Sequence, residues 1–273
     1  HTAYRRQRQM CIRDSVWTYD GKEHFEEGYT VTNGSLASGQ NIFVTSNTKV
    51  KNYTSSPVDN SLTLDIKTSN GVSVLANYDL QTTVSGTLTV TKRAIKITTG
   101  SKSQEYDGTE LSDSELIYNK ADLAEGQQIT VDGYTSIQNV AETSDGNNAV
   151  TYFINVISTG EVTTANYEIT EVKGTLTVTP RPLKVRTESD TKVYDGAPLV
   201  NRAYTVVYAG NKVAQNEENA FIISGESLTL TGSLPEITEI GSIDNAIPLA
   251  EPNSNYKIIS REHGKLTVTA REI

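Results

Sequence analysis

Thiols, thioethers, imidazoles and long apolar runs are almost missing from this chain. Of 273 residues one is Cys and one is Met, and both fall within the first 15. From residue 16 onward no disulfide framework and no thiol chemistry is available. The three histidines, His1, His24 and His263, show no H-x-x-x-H or Cys/His spacing, which excludes the ordinary transition-metal sites. No stretch of 18 apolar residues occurs, so nothing in this fragment is expected to insert into a membrane. Basic charge is also short, with 24 Lys and Arg against 33 Asp and Glu and a net charge of −9. Nucleic-acid phosphates demand clustered Lys and Arg, so nucleic acid is not an expected partner. There is no G-x-S-x-G, no phosphate-cradling or dinucleotide glycine pattern, and no Ser–His–Asp set. No catalytic and no cofactor-binding residue is assigned, and the chain is not expected to be an enzyme.

What is present suffices for folded structure. The composition is 36% hydrophobic and 21% charged, too apolar for a wholly disordered chain. Residues 1–15, HTAYRRQRQMCIRDS, stand apart, with four arginines and the lone Cys11 and Met10. The string RQRQMCIRDS resembles the translated adapter read-through found at the ends of some gene models. Residues 1–15 are therefore set outside the fold as an artefact and expected to be disordered; the alternative is a basic arm for an acidic partner. Without them the net charge is −12, from 20 Lys and Arg and 32 Asp and Glu. Both true ends of the protein are expected to lie beyond the chain.

Three landmarks then recur at one period. Tyr-Asp-Gly stands at Tyr19-Asp20-Gly21, Tyr106-Asp107-Gly108 and Tyr194-Asp195-Gly196, in steps of 87 and 88. Asn-Tyr-x-(Leu/Ile) stands at Asn77-Tyr78, Asn166-Tyr167 and Asn255-Tyr256, in steps of 89. Gly-x-Leu-Thr-Val-Thr has its Leu at Leu88, Leu176 and Leu266, in steps of 88 and 90. Kept order and phase over three copies define a repeat array. The cuts fall at 16–93, 94–181 and 182–271.

Each repeat reads as β structure. In Leu-Thr-Val-Thr the apolar and polar residues alternate with period two, as in a strand with one buried face. Turn pairs separate such runs: Asn33-Gly34, Asn70-Gly71, Asp132-Gly133, Asp145-Gly146 and Ala209-Gly210. Helical periodicity is lacking; the best stretch, Asp113 to Leu123, fits one irregular turn. An 88-residue β unit can bury one modest core of its own. The expected fold is all-β: a tandem array of three small β domains, immunoglobulin-like sandwiches or, alternatively, β-grasp-like units. Links of two or three residues, with Pro180 and Pro182 in one of them, restrict bending and predict a semi-rigid rod.

Repeat three departs in its middle. From the Tyr of Tyr-Asp-Gly to Gly39, Gly126 and Gly225 the offsets are 20, 20 and 31. From that Gly to the Asn-Tyr landmark they are 38, 40 and 30. Either repeat three carries an insertion and a compensating deletion, or Gly225 is the wrong anchor.

The motifs Glu105-Tyr106-Asp107-Gly108-Thr109, Val193-Tyr194-Asp195-Gly196-Ala197 and Gly174-Thr175-Leu176-Thr177-Val178-Thr179 together resemble the YDG/MBG-type repeats of large bacterial, Gram-positive-like surface proteins. The resemblance runs from residue 16 to 271. It implies a secreted or wall-anchored parent, an extracellular location at the bacterial cell surface, and an extended β-rich architecture serving adhesion or display. It supplies no catalytic residues. The expected role is a stalk that holds a distal domain away from the wall, with neighbouring repeats of the parent chain as partners. The alternative is an adhesin module that binds host glycan or matrix protein through repeat three. The seat would be Asn201 to Gly225, with Tyr204 and Tyr208 as ligand contacts, because loops that break a pattern are natural places for function.

Other candidates read as structure. Asp-Gly is a tight-turn pair, with Gly at positive φ, and the preceding Tyr is expected to pack in the core with its hydroxyl on backbone. Carboxylates cluster at Asp20, Glu23, Glu26 and Glu27 and again at Asp107, Glu110, Asp113 and Glu115. Weak calcium binding is the functional alternative there and solvated surface the structural one. A Lys–Asn isopeptide lock beside a buried acid is a further option, and a lysine facing the core would mark it.

Overall fold

Apolar and β-branched residues in alternation, cut every few positions by Gly-containing turns, favour short strands over helices. The fold is accordingly all-β. The computed structural model describes residues 8–208 and 226–273. Its strands, two to eight residues long, form several small two- and three-stranded sheets. Among the described residues helix is confined to three-residue 3-10 turns such as Tyr53–Ser55 and Thr164–Asn166. One of them, Lys120–Asp122, is the irregular turn expected near Leu123.

The strand that carries Leu-Thr-Val-Thr organises each repeat. On one side it pairs in parallel with the strand leading into Tyr-Asp-Gly: Ser15↔Leu88, Lys102↔Leu176 and Asp190↔Leu266. The register is identical in all three copies, and each ends on the same bond, from the Tyr19, Tyr106 or Tyr194 N–H to the last Thr carbonyl, at 2.9 Å. On the other side the ladder is filled in different ways. Repeat one supplies Val58–Asn60 and repeat three Gly241–Asp244, both antiparallel. In repeat two, side chains take the place of a strand. Asn147 accepts from the Leu176 N–H (2.6 Å) and donates to its carbonyl (2.9 Å), and Thr143 Oγ1 accepts from the Val178 N–H (2.9 Å). The backbone groups of a central strand are thereby paired without a third strand.

The glycine that opens this motif has a steric cause. A Cβ at Gly86 would lie 2.3 Å from the Arg13 carbonyl oxygen, at Gly174 1.9 Å from that of Gly100, and at Gly264 2.4 Å from the Glu188 carbonyl carbon. Two backbones cross there, and only a residue without a side chain lets them approach.

The first strand of each repeat pairs in parallel with the strand that begins at Asn-Tyr: Arg93↔Tyr167 through Thr98↔Val172, and Arg181↔Tyr256 through Arg186↔Glu262. Repeat one has the same element. Arg8–Ile12 pairs in parallel with Leu80–Val84 and antiparallel with Tyr29–Val31. The expectation that residues 1–15 are disordered is thus corrected from residue 8 onward, and residues 1–7 lie outside the described ones. The physical reason is backbone pairing, which accepts almost any side chain. Arg8 and Met10 stand in register with Ile95 and Ile97, and Ile12, buried, with Thr99.

The Asp132-Gly133 turn is also corrected. This pair lies inside the strand Gln127–Tyr134, where pairing with Val150–Val156 outweighs its local preference. Asn33-Gly34, Asn70-Gly71 and Asp145-Gly146 each carry Gly at positive φ, and Ala209-Gly210 lies outside the described residues.

The chain divides into two compact units. One takes in the described parts of 1–98, 116–133 and 151–172, the other those of 99–115, 134–150 and 173–273. Each unit draws on two successive repeats. In the first, Tyr19, Leu88 and Val90 of repeat one pack with Ile95, Ile97, Ile154 and Tyr167 of repeat two. In the second, Tyr106, Leu176 and Val178 of repeat two pack with Leu183, Val185 and Tyr256 of repeat three. The two larger cores thus join successive repeats, while Leu199, Leu266 and Val268 cluster with Tyr194, Ile237 and Ile243 inside repeat three alone. A sheet of two or three strands is too small to shield its apolar face alone, and in the larger cores the next repeat supplies the cover.

Candidate functional site

The recurring residues converge on the joints between repeats. Tyr19 is 0% exposed and meets Tyr167 edge to face, with ring centroids 5.6 Å apart. Tyr106 and Tyr256 repeat this at 5.4 Å. Such pairs contribute roughly 0.5–1.5 kcal/mol beyond the area they bury. In both joints the first ring comes from Tyr-Asp-Gly of one repeat and the second from Asn-Tyr of the next.

The Tyr19 hydroxyl bonds across the joint to a side chain, and not to backbone as expected. Gln127 Nε2 donates to Tyr19 Oη at 2.7 Å, and Gln127 Oε1 accepts from Tyr167 Oη at 2.6 Å. One buried amide thus holds both phenols. Tyr167 Oη also accepts from the Ala124 N–H at 2.9 Å. Burial, above all, pushes the Tyr167 phenol above its usual pKa. In the second joint Tyr256 donates to the Glu226 carboxylate. Burial first, and the Glu226 charge next, raise the pKa of Tyr106. Glu226 therefore stands where Gln127 stands, each following a glycine. With Gly225 aligned to Gly126, repeat three has eleven more residues before this point and ten fewer between it and Asn-Tyr than repeat two, which agrees with an insertion and a compensating deletion.

The Asn of Asn-Tyr makes a second cross-link. Asn166 Oδ1 accepts from the Tyr53 N–H (2.8 Å), and its Nδ2 donates to Asn52 Oδ1 (3.1 Å). Asn255 does the same with the Val140 N–H (2.8 Å) and Asn139 Oδ1 (2.9 Å). Asn166 and Asn255 are buried, whereas Asn77 of repeat one is exposed. Tyr78 is half-buried, accepts from the Ala37 N–H at 3.1 Å and donates to Gln40.

The Asp-Gly pairs are turns. Gly21, Gly108 and Gly196 have φ of 80°, 79° and 79°. Each Asp accepts from the N–H two residues on: Lys22 at 2.9 Å, Thr109 at 2.9 Å and Ala197 at 3.0 Å. These are Asx turns. Burial opposes ionisation of Asp20, yet the Lys22 N–H and the neighbouring His24 and Lys22 hold its pKa below the usual range. The Lys192 ammonium does the same for Asp195.

Four of the other clustered carboxylates are engaged within the fold. Glu23 pairs with Lys49 (3.1 Å), Glu26 accepts from Ser15 (3.2 Å), Glu27 from the Ser46 N–H (3.1 Å) and Glu110 from Ser136 (3.1 Å). Among the described residues no group of three or more His, Cys, Asp or Glu is arranged to hold a metal ion. His24 stacks on Trp17 with centroids 4.9 Å apart and bonds to Asp20. Among the described residues every lysine is at least partly exposed, so an isopeptide lock has no buried lysine there to use.

Tyr204 is 37% exposed and begins the edge strand Tyr204–Tyr208, opposite Thr187, while Tyr208 ends it opposite Leu183. Tyr204 stands in register with Tyr29, which faces Ile12 in repeat one. It therefore occupies a place that recurs in the array. Residues 209–225 of the expected ligand seat lie outside the described residues. Sequence reasoning missed Gln127, Asn52 and Asn139. The signal was a Gly-Gln or Gly-Glu step between Tyr-Asp-Gly and Asn-Tyr in each repeat, at offsets of 38, 40 and 30 before the Asn, and an Asn three residues before Glu142.

No family model matches the chain, and no curated protein matches it. Among solved structures it is similar to the N-terminal four Ig domains of Dscam1 isoform 4.44, at 12% identity and a TM-score of 0.16, over 97% of this chain and 75% of that one. Agreement that low carries no argument, and the all-β assignment rests on the strands themselves.

Proposed function

We propose that this chain is a stalk segment of a bacterial surface protein, built from YDG/MBG-type repeats, extracellular, and without enzymatic activity. The observation that carries the reading is the joint. The Tyr of Tyr-Asp-Gly and the Asn-Tyr pair, two of the three recurring landmarks, supply residues that tie one repeat to the next. An array selected for its joints transmits position along its length, as tandem repeats with nearest-neighbour interfaces do. Its three repeats, cut at 16–93, 94–181 and 182–271, act as spacers for a distal domain.

Small-angle scattering tests this. A compact body of 273 residues has a radius of gyration of about 19 Å. A stalk gives a value well above that and an elongated distance distribution; a value near the compact one sinks the proposal.

The second reading is an adhesin module in repeat three, favoured by the exposure of Tyr204 beside the departing segment. Saturable binding of a host glycan or matrix protein, lost in Tyr204→Ala, supports it. Silence across a panel with well-folded protein leaves the stalk.

A further inference from the structure

The chain holds two Asn-Gly steps, Asn33-Gly34 and Asn70-Gly71, and both are exposed. In such a step the backbone nitrogen of the glycine can attack the amide carbon of the asparagine side chain, because no Cβ hinders its approach. The fold treats the two steps differently. Asn70-Gly71 forms a tight turn directly after the strand Leu62–Thr68. The Gly71 N–H donates to the Thr68 carbonyl at 2.9 Å, and the Thr68 N–H to the Val72 carbonyl at 2.9 Å. The Val72 N–H in turn donates to Thr68 Oγ1 at 3.3 Å. The nitrogen that would attack is thus tied down with its proton engaged.

Asn33-Gly34 lies in the connection between the strands Tyr29–Val31 and Gln40–Ser46. Among the described residues nothing accepts a hydrogen bond from the Gly34 N–H, and the Asn33 side chain makes none. This exposure belongs to the repeat itself. With Gly39 level with Gly126, Asn33 and Gly34 stand level with Lys120 and Ala121. Those two stay exposed while Leu123 and Ala124, just after them, are buried in a closed joint.

We propose that Asn33 is a site of spontaneous covalent modification, converted by water to aspartate and isoaspartate through a cyclic imide, while Asn70 is spared. The Gly34 nitrogen bonds to Asn33 Cγ, the Cγ–Nδ2 bond breaks, and ammonia leaves. The proton lost from the Gly34 nitrogen passes through solvent to the departing amine. Water then opens the imide at either of its two carbonyls. In sum one water is consumed and one ammonia released, with no oxidant and no enzyme. One opening leaves an ordinary aspartate at position 33; the other routes the main chain through Cγ and lengthens it by a methylene. Either adds one negative charge to a chain that already carries −9. The inference rests on the contrast between the two turns and not on the stalk reading.

Peptide mapping of the full chain after incubation at mildly alkaline pH is the test, run on folded protein and on protein in urea. Trypsin separates the two steps into residues 23–49 and 68–92, and chromatography with mass spectrometry counts asparagine, aspartate and isoaspartate in each. In the folded chain Asn33 is expected to convert at least about fivefold faster than Asn70, the factor that one hydrogen bond on the Gly71 N–H supplies. In urea, which releases the turn, the two rates should converge. Asn33→Gln, at an exposed position, should abolish the change in residues 23–49. Equal rates in the folded chain overturn the proposal, as does an Asn33 that stays intact in the folded chain while the urea sample reacts. A lead for Asn33 that survives in urea overturns it too, because the fold would then not be its cause. So does conversion within residues 23–49 that persists in the Asn33→Gln chain.

Discussion

Asn77, Asn166 and Asn255 are the same landmark residue in three repeats, and the joints predict that they differ in worth. Asn166→Ala removes the acceptor of the Tyr53 N–H and the donor to Asn52, at 2.8 and 3.1 Å, at a position only 4% exposed. A lost hydrogen bond costs about 1 kcal/mol net, so the two bonds together give about 2 kcal/mol. Asn77 is exposed and its counterpart substitution should stay within about 0.5 kcal/mol. Trp17, the only tryptophan, packs against the first unit's core and stacks on His24, so its fluorescence reports the joint that Asn166 closes. With a urea m-value of about 2 kcal/mol/M, Asn166→Ala should lower the midpoint by roughly 1 M or more. Asn77→Ala should leave it within about 0.3 M. If the landmark served its own repeat, the two substitutions would cost the same. Equal shifts therefore refute the joint.

Gly174→Ala puts a Cβ 1.9 Å from the Gly100 carbonyl oxygen and should cost about 1–3 kcal/mol or more, seen as a drop in the melting temperature; Gly39→Ala, whose added Cβ meets nothing within 4 Å, loses only what its φ of 75° demands. Thr99→Val removes the hydroxyl that donates to the Asn148 carbonyl at 2.7 Å and accepts from the Gly174 N–H at 2.9 Å, and denaturant unfolding should register a loss of about 1–3 kcal/mol. Acid should destabilise the fold: Asp20 and Glu251 have lowered pKa values, Asp20 against its own burial and Glu251 through the Ile258 N–H. Their contribution is present above the unfolded carboxylate pKa of about 4 and is lost as pH falls through the folded values. Alkali should do the same through Tyr106 and Tyr167, whose raised pKa values give a contribution that is full below the unfolded phenol pKa of about 10 and lost as pH rises through the folded ones; melts across pH 3 to 11 read both limbs.

The strands were legible because their pattern is local. Leu88 and Val90 alternate with threonine, and Asp20-Gly21 needs no distant contact to declare a turn. The joints were not. A period states what recurs, not which copy touches which, and the partner of Tyr19 is a Tyr in the next repeat. Gln127 was hidden for a second reason: its counterpart in repeat three is Glu226, so the bridging role is shared by two residue types. Arg8–Ile12 was hidden by composition. Four arginines and the lone thiol mark residues 1–15 as foreign, while the backbone pairing that makes Arg8–Ile12 a strand leaves no trace in side-chain type.

The most direct test of the account is the stability of repeat two alone. Residues 94–181 contain a complete set of landmarks, but Tyr106 lacks Tyr256, and Tyr167 lacks Tyr19. Urea unfolding of this fragment, followed by circular dichroism beside the full chain, separates the two cases. The joints predict a fragment that is unfolded or loses several kcal/mol, because both its apolar faces are stripped of cover. A fragment that unfolds cooperatively at the midpoint of the full chain would contradict the claim that the recurring residues exist to join one repeat to the next.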